Sequence, residues 1–123
     1  MTTHSGSCLC GQVRFEIEGD FDRFFFCHCS RCRKSSGTAH GANLFSATAK
    51  VTWLSGEELI TQYRVPDARF GRAFCSFCGG ALPRVRPNIV VVPAGCLDTE
   101  VHVQPTGHIF GASRANWDRD LET

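Results

Sequence analysis

The sequence predicts a single-domain, mostly β fold. Short apolar stretches with alternating or continuous hydrophobicity recur along the chain, separated by Gly, Pro, Ser and Asp. No segment sustains a 3.6-residue apolar period, and twelve glycines work against helix interiors. The length of 123 residues suits one domain spanning 1–123, with no repeat, low-complexity tract or linker to divide it.

The elements follow in chain order. Val13-Arg14-Phe15-Glu16-Ile17 alternates and reads as a half-buried strand, closed by a turn at Gly19-Asp20. Phe24-Phe25-Phe26 reads as a buried strand running into a cysteine cluster. Further strands are expected at Ala42 to Phe45, Lys50 to Leu54, Leu59 to Arg64 and Arg69 to Phe74. Ile89-Val90-Val91-Val92 is the most apolar, and Pro93 is placed to stop it. A short helical turn is expected between Ser113 and Leu121.

Composition narrows the function. Hydrophobic residues at 42% and charged residues at 20% mark a globular chain. Thirteen Lys and Arg against twelve Asp and Glu leave a net charge of +1, too balanced for a nucleic-acid binder. No apolar run approaches the ~18 residues of a membrane span. The opening Met-Thr-Thr-His-Ser-Gly-Ser has no apolar signal core, so a cytoplasmic location is expected. Oligomeric state is not readable from the sequence.

Eight cysteines are fewer than disulfide-stapled mini-proteins carry, and a reducing cytosol would hold disulfides open. Metal binding remains, and the spacing supports it. Cys75-x-x-Cys78 can turn two sulfurs toward one metal, with Gly79 and Gly80 supplying the positive φ of a knuckle. Structural zinc takes four ligands, and Cys8-x-Cys10 is the natural partner pair because it leaves the remaining cluster intact. Such a site would close the chain across residues 11–74 and support a small core. A thioredoxin-type redox pair is the alternative, but no βαβ pattern surrounds Cys75 and Cys78.

Cys27-His28-Cys29-Ser30-Arg31-Cys32 offers three thiolates from one loop. Three ligands with an open fourth corner is the arrangement of a catalytic zinc. The other reading is a closed site completed by His28, His40, Cys96 or His108. Zinc with three thiolates bears a net negative charge and is a weak Lewis acid toward water, yet it binds and deprotonates thiols. Thiol handling is therefore expected rather than hydrolysis.

These motifs resemble the glutathione-dependent formaldehyde-activating enzyme (GFA) family. The resemblance runs through Cys8-x-Cys10-Gly11, Cys27-His28-Cys29-x-x-Cys32-Arg33-Lys34-x-x-Gly37, Trp53-Leu54-Ser55-Gly56 and Phe74-Cys75-x-x-Cys78-Gly79. It continues in Val92-Pro93-Ala94-Gly95-x-Leu97-Asp98 and His108-Ile109-Phe110. It implies zinc-stabilised coiled β-sheets, a β-tent, shared with a Rab-associated zinc protein and methionine-R-sulfoxide reductases. It implies a structural zinc on Cys8, Cys10, Cys75 and Cys78 and a catalytic zinc on Cys27, Cys29 and Cys32. The reaction implied joins glutathione to formaldehyde, giving S-(hydroxymethyl)glutathione, a carbon–sulfur lyase running in reverse. The tail Gly111-Ala-Ser-Arg-Ala-Asn-Trp117 departs from the usual family ending, and Cys96 stands where a Ser or Thr is expected.

Other residues take expectations from this frame. Arg33 and Lys34 are candidates to receive the carboxylates of glutathione, with Arg69 and Arg72 weaker ones. His28, between two ligands, should point away from the metal, and His40 is a candidate neighbour of the open corner. Cys96 reads as a buried small hydrophobe. Trp53, Phe70, Phe74 and Phe77 read as core or knuckle side chains, and His108 and Phe110 as residues that pack the C-terminal strand. The rival functions are a non-enzymatic zinc-binding protein-interaction module and a redox enzyme built on Cys96.

Overall fold

The protein's structure, a computed structural model, describes residues 2–119. In chain order it runs β1 (Thr3–Ser7), β2 (Arg14–Glu18), β3 (Arg23–Cys27), α1 (Ser30–Ser36), β4 (Gly41–Ser46) and β5 (Lys50–Ser55). There follow β6 (Ile60–Arg64), β7 (Gly71–Cys75), β8 (Ala81–Leu82), β9 (Arg84–Val85), β10 (Val90–Pro93) and β11 (Gly107–Ile109). The strands form three sheets, ordered β1-β2-β5, β11-β3-β4-β10-β9 and β6-β7-β8. All ladders are antiparallel except β11 on β3. This is the mostly β, single-domain fold that the alternation predicts.

The period-2 pattern sets which face is buried. In β2 the alternate residues Phe15 and Ile17 are fully buried, while Arg14 and Glu18 face out. They meet Val13, Leu44, Leu82 and Val92, so all three sheets contribute to one core. At ~25 cal/mol per Å² of apolar surface, each such aliphatic or aromatic side chain contributes roughly 1.5–3 kcal/mol.

Two elements have no strong signal in the sequence. β1 reads Thr-His-Ser-Gly-Ser, with no apolar alternation. It forms because all five residues pair with β2 and because His4 is buried, its Nδ1 3.0 Å from Thr99 Oγ1. Gly6 is required there: a Cβ would overlap the Phe15 ring and the Cys96 carbonyl. The second is α1, which begins inside the central cysteine cluster. Cys29 is its N-cap, with Sγ accepting from the Cys32 N–H at 3.3 Å, and Gly37 closes it at φ 69°.

The helical turn expected within Ser113–Leu121 sits earlier, as a 3-10 turn at Gly111–Ser113; residues 114–119 form no helix, and Leu121 lies outside the described residues. No helix among the described residues is long and apolar enough to cross a membrane.

Candidate metal centre and ligand cavity

Cys8 and Cys10 follow β1, Cys75 ends β7, and Cys78 lies in the turn before β8. Folding brings their four sulfurs within 4.8 Å of one another. Backbone N–H groups converge on them: Val13 on Cys8 Sγ at 3.3 Å, and Cys10 and Gly80 each on Cys78 Sγ at 3.4 Å. Gly79 adopts φ 76°, as a knuckle requires. Gly80 serves a different purpose, since a Cβ there would stand 2.7 Å from the Leu9 amide nitrogen. Four soft donors with N–H groups directed at the sulfurs are chemically suited to a tetrahedral thiolate-binding metal such as zinc.

The same amides tune the thiols. Cys78 is lowered to about 6, first by the Cys10 N–H and then by the Gly80 N–H against the cost of burial. Cys10 gains from the Gln12 amide, but burial and the neighbouring Cys8 and Cys78 outweigh it and push Cys10 up to about 11.

The second group is Cys27, Cys29 and Cys32, whose sulfurs also lie within 4.8 Å of one another. Cys27 ends β3, Cys29 caps α1, and Cys32 faces inward from its first turn. Gly41, paired with Cys27, leaves room for the cluster: a Cβ there would lie 3.3 Å from Cys32 Cβ. Among the described residues no fourth Cys, His, Asp or Glu joins these three. The closed-site alternatives His28, His40, Cys96 and His108 all stay outside. Burial raises Cys27 and Cys32, whereas for Cys29 the Cys32 N–H and the adjoining thiols offset burial and lower it.

This triad opens onto a cavity of about 660 Å³. One wall is the face of the five-stranded sheet carrying Asn43, Phe45, Arg84, Val91 and Pro93; the other comes from residues 69–73 and 81–82. Five arginines line it: Arg31, Arg69, Arg72, Arg84 and Arg86. Among the described residues no Asp or Glu lines it, and none forms an ion pair with these arginines. Arg72 is half-buried and spans from β7 to α1, its Nη1 donating to the Ser35 carbonyl at 2.7 Å. Its Nε is buried without a partner. Burial lowers Arg72, and the nearby Cys32 and Cys96 sulfurs act the other way. Arg84 donates to the Arg69 carbonyl at 2.7 Å and is lowered by burial, then by the like charges of Arg86 and Arg64.

Arg33 and Lys34, singled out in the sequence, are in α1 but do not line this cavity. Of the cations that do, Arg31 lies inside the cysteine run, Arg69 and Arg72 are the weaker candidates named from the sequence, and Arg84 and Arg86 carried no signal there. His28 points away from the sulfurs and is 1% exposed. Its Nε2 meets His108 Nδ1 at 2.6 Å, and its Nδ1 lies 3.1 Å from Asp118 Oδ2. His40 stacks on Phe26 at 4.3 Å and does not line the cavity onto which the triad opens. Cys96 is buried, lies outside both sulfur groups and the cavity lining, and is pushed up to about 12 by burial. Phe70 lines the cavity instead of the core, and Phe77 is 71% exposed rather than packed at the knuckle.

The sequence profile of the glutathione-dependent formaldehyde-activating enzyme family matches residues 3–113. The chain belongs to this family. A Halomonas elongata protein named "Putative glutathione-dependent formaldehyde-activating enzyme" is 31% identical over 122 residues, covering 91% of this chain and 77% of its own length. A crystal structure of a Rhodobacter sphaeroides protein superposes with a TM-score of 0.60 at 25% identity, covering 85% of this chain and 98% of that one. In this GFA-family chain both cysteine groups lie within the matched span, as do all five cavity arginines.

Proposed function

We propose that this chain is a single domain over residues 1–123 that joins a glutathione-like thiol to an aldehyde such as formaldehyde. It would act as a zinc-dependent carbon–sulfur lyase working in the direction of addition. The observation that carries this reading is the three-sulfur group, which among the described residues has no fourth protein ligand and opens onto a cavity rimmed by arginines without ion-pair partners there. Cys8, Cys10, Cys75 and Cys78 would hold a structural zinc, and Cys27, Cys29 and Cys32 a catalytic one.

Zinc bound by three thiolates supplies a soft acceptor that keeps an incoming thiol ionised at neutral pH. The chain's own residues do the rest. The arginines from β7 and β9 and the loops beside them receive the carboxylates of the thiol through charge-assisted hydrogen bonds. This role falls to Arg69, Arg72, Arg84 and Arg86 rather than to Arg33 and Lys34, because only the former line the cavity. Arg72 also sets a positive charge beside Cys32, offsetting the negative charge of a thiolate cluster. Asn43 lines the cavity with Nδ2 4.0 Å from Cys32 Sγ, a neutral donor placed for the carbonyl oxygen. The sulfur lone pair forms the new C–S bond, the carbonyl π pair moves to oxygen, and that oxygen takes a proton.

X-ray absorption on zinc-loaded protein tests the proposal. The expected result is one added sulfur, at ~2.3 Å, on the second zinc when glutathione is present. Unchanged coordination, or a second zinc already holding four protein ligands, would overturn it. The interaction-module reading draws on Leu9 and Phe77, which are 85% and 71% exposed on the knuckle loops, and predicts no response to thiol.

A further inference from the structure

We infer that the site accepts aldehydes larger than formaldehyde, with an apolar substituent seated against Ile109 and Phe110. The inference rests on the thiol-handling reading above and names the class of its second substrate. The order of strands in the large sheet carries the argument. From β3, which bears Cys27, the sheet runs through β4 and β10 to β9, which bears Arg84. Val91 pairs with both Phe45 and Arg84, so that side of the triad ends in positive charge. At ~4.8 Å per strand, the three steps from β3 to β9 cover about 14 Å; this exceeds the ~10–11 Å of an extended tripeptide, and the Arg84 side chain, which lines the cavity, shortens the gap to within its reach. A thiol anchored at the triad therefore directs its carboxylates toward β9.

The opposite side of the triad has a different character. β11 lies beside β3, and Ile109 pairs directly with Cys27. Phe110 follows, lines the cavity, and is 63% exposed. Its backbone is left-handed, at φ 57°, a conformation unfavourable for a bulky side chain. A large aromatic is thus held largely exposed, in a strained backbone, in the cavity lining next to the residue that pairs with Cys27. Neither glutathione, which is polar throughout, nor a one-carbon aldehyde has a group to cover it. An apolar alkyl or aryl group on the carbonyl carbon does. That carbon is bonded to sulfur in the adduct, so its substituent emerges from the triad on the side away from the carboxylates. The step balances as plain addition: the thiolate sulfur bonds to the carbonyl carbon, the C=O π bond breaks, and the oxygen takes one proton to give a hemithioacetal. No oxidant or reductant is needed.

The test uses unreactive S-substituted glutathiones, in which the substituent occupies the place of the aldehyde's carbon chain. Calorimetry on the zinc-loaded full chain compares glutathione, S-methylglutathione, S-hexylglutathione and S-benzylglutathione. The expected result is that the hexyl and benzyl compounds bind ~10-fold or more tightly than the methyl compound, since each buried methylene adds to affinity. Phe110→Asn, which tolerates a left-handed backbone, should erase that gain and leave glutathione binding unchanged. Phe110→Leu should keep most of it. Circular dichroism shows that each variant is folded. Equal affinity for methyl, hexyl and benzyl compounds, or a gain that survives in folded Phe110→Asn, overturns the inference while glutathione binding still supports the thiol site. Failure of glutathione itself to bind overturns both.

Discussion

His28 Nε2 and His108 Nδ1 stand 2.6 Å apart and tie the centre of the Cys27-His28-Cys29 run to β11. The backbone joins the same elements, with the His28 N–H donating to the Ile109 carbonyl at 3.0 Å. Burial and the neighbouring His40 lower His28, so the imidazole is neutral and one ring nitrogen must accept. Asp118 Oδ2 stands 3.1 Å from Nδ1 without hydrogen-bond alignment, so the contact with His108 is the hydrogen bond that fixes the ring. The triad's shape therefore depends on a residue that touches no ligand.

His28→Ala is expected to destabilise the protein by roughly 1–3 kcal/mol, from the lost hydrogen bond to His108 and the space left by a fully buried ring. Urea unfolding of the zinc-loaded protein measures this. Zinc content should fall toward one equivalent, because Cys27 and Cys29 lose their fixed backbone.

Cys75→Ser removes a ligand from the four-sulfur group that joins the end of β1 to β7. Structural zinc supplies ~10–16 kcal/mol in small domains, comparable with the whole ~5–15 kcal/mol stability of a fold. The variant should be unfolded or nearly so at room temperature. Cys29→Ser should keep the fold and lose only the second metal. Thermal melts paired with metal analysis separate the two, and equal unfolding would contradict a division into structural and catalytic sites.

Acid should release the two metals in order. Burial holds Cys27 and Cys32 above the ordinary thiol value, so metal must displace protons from both. In the other group only Cys10 is clearly raised, to about 11, while Cys78 sits at about 6. Metal-bound thiolates behave as groups whose folded pKa lies below the unfolded 9.0. Their stabilisation is thus complete above that value and is lost as pH falls. The triad, with three ligands and more raised thiols, should release metal at the higher pH. A chelator-dye titration should show two steps, the first without loss of β-sheet circular dichroism.

Arg72→Met keeps much of the apolar stem but loses the bond to the Ser35 carbonyl and the charge beside Cys32. Glutathione affinity should fall roughly 10- to 100-fold, the range for a hydrogen bond to a charged group. Arg72→Lys should recover only part, since an ammonium cannot span both contacts as a guanidinium does. Arg33→Ala should bind glutathione as the parent does, because Arg33 does not line the cavity. Calorimetry decides both.

Local signals account for most of the strands. Val13 to Ile17 and Ile89 to Val92 carry their burial in their own alternation or apolarity, and each forms within one residue of the expected place. β1 carries no such signal, because its strand character comes from pairing with β2 and from the close approach of Gly6 to Phe15. The helix α1 was not legible, since seven residues are too few to display a 3.6-residue period; its caps, Cys29 and Gly37, emerge only in the structure. At the knuckle, Phe77 shows the opposite failure: an aromatic beside cysteines suggests burial, but the turn projects it into solvent.

The sequence by itself determined the two sulfur groups, because a Cys-x-Cys or Cys-x-x-Cys spacing constrains where neighbouring sulfurs can point however the rest of the chain folds. The same local geometry turned His28 away from the sulfurs. Arg31, inside the run from Cys27 to Cys32, reaches the cavity by local geometry, but which distant cations join it was decided only by the tertiary structure. Arg33 and Lys34 adjoin Cys32 in sequence, yet the helix directs them elsewhere, while Arg69, Arg72, Arg84 and Arg86 arrive from strands and loops some forty to fifty positions away. Charge recognition acts through space, so its residues leave no spacing to read, whereas chelation by neighbouring thiolates is a property of the chain itself.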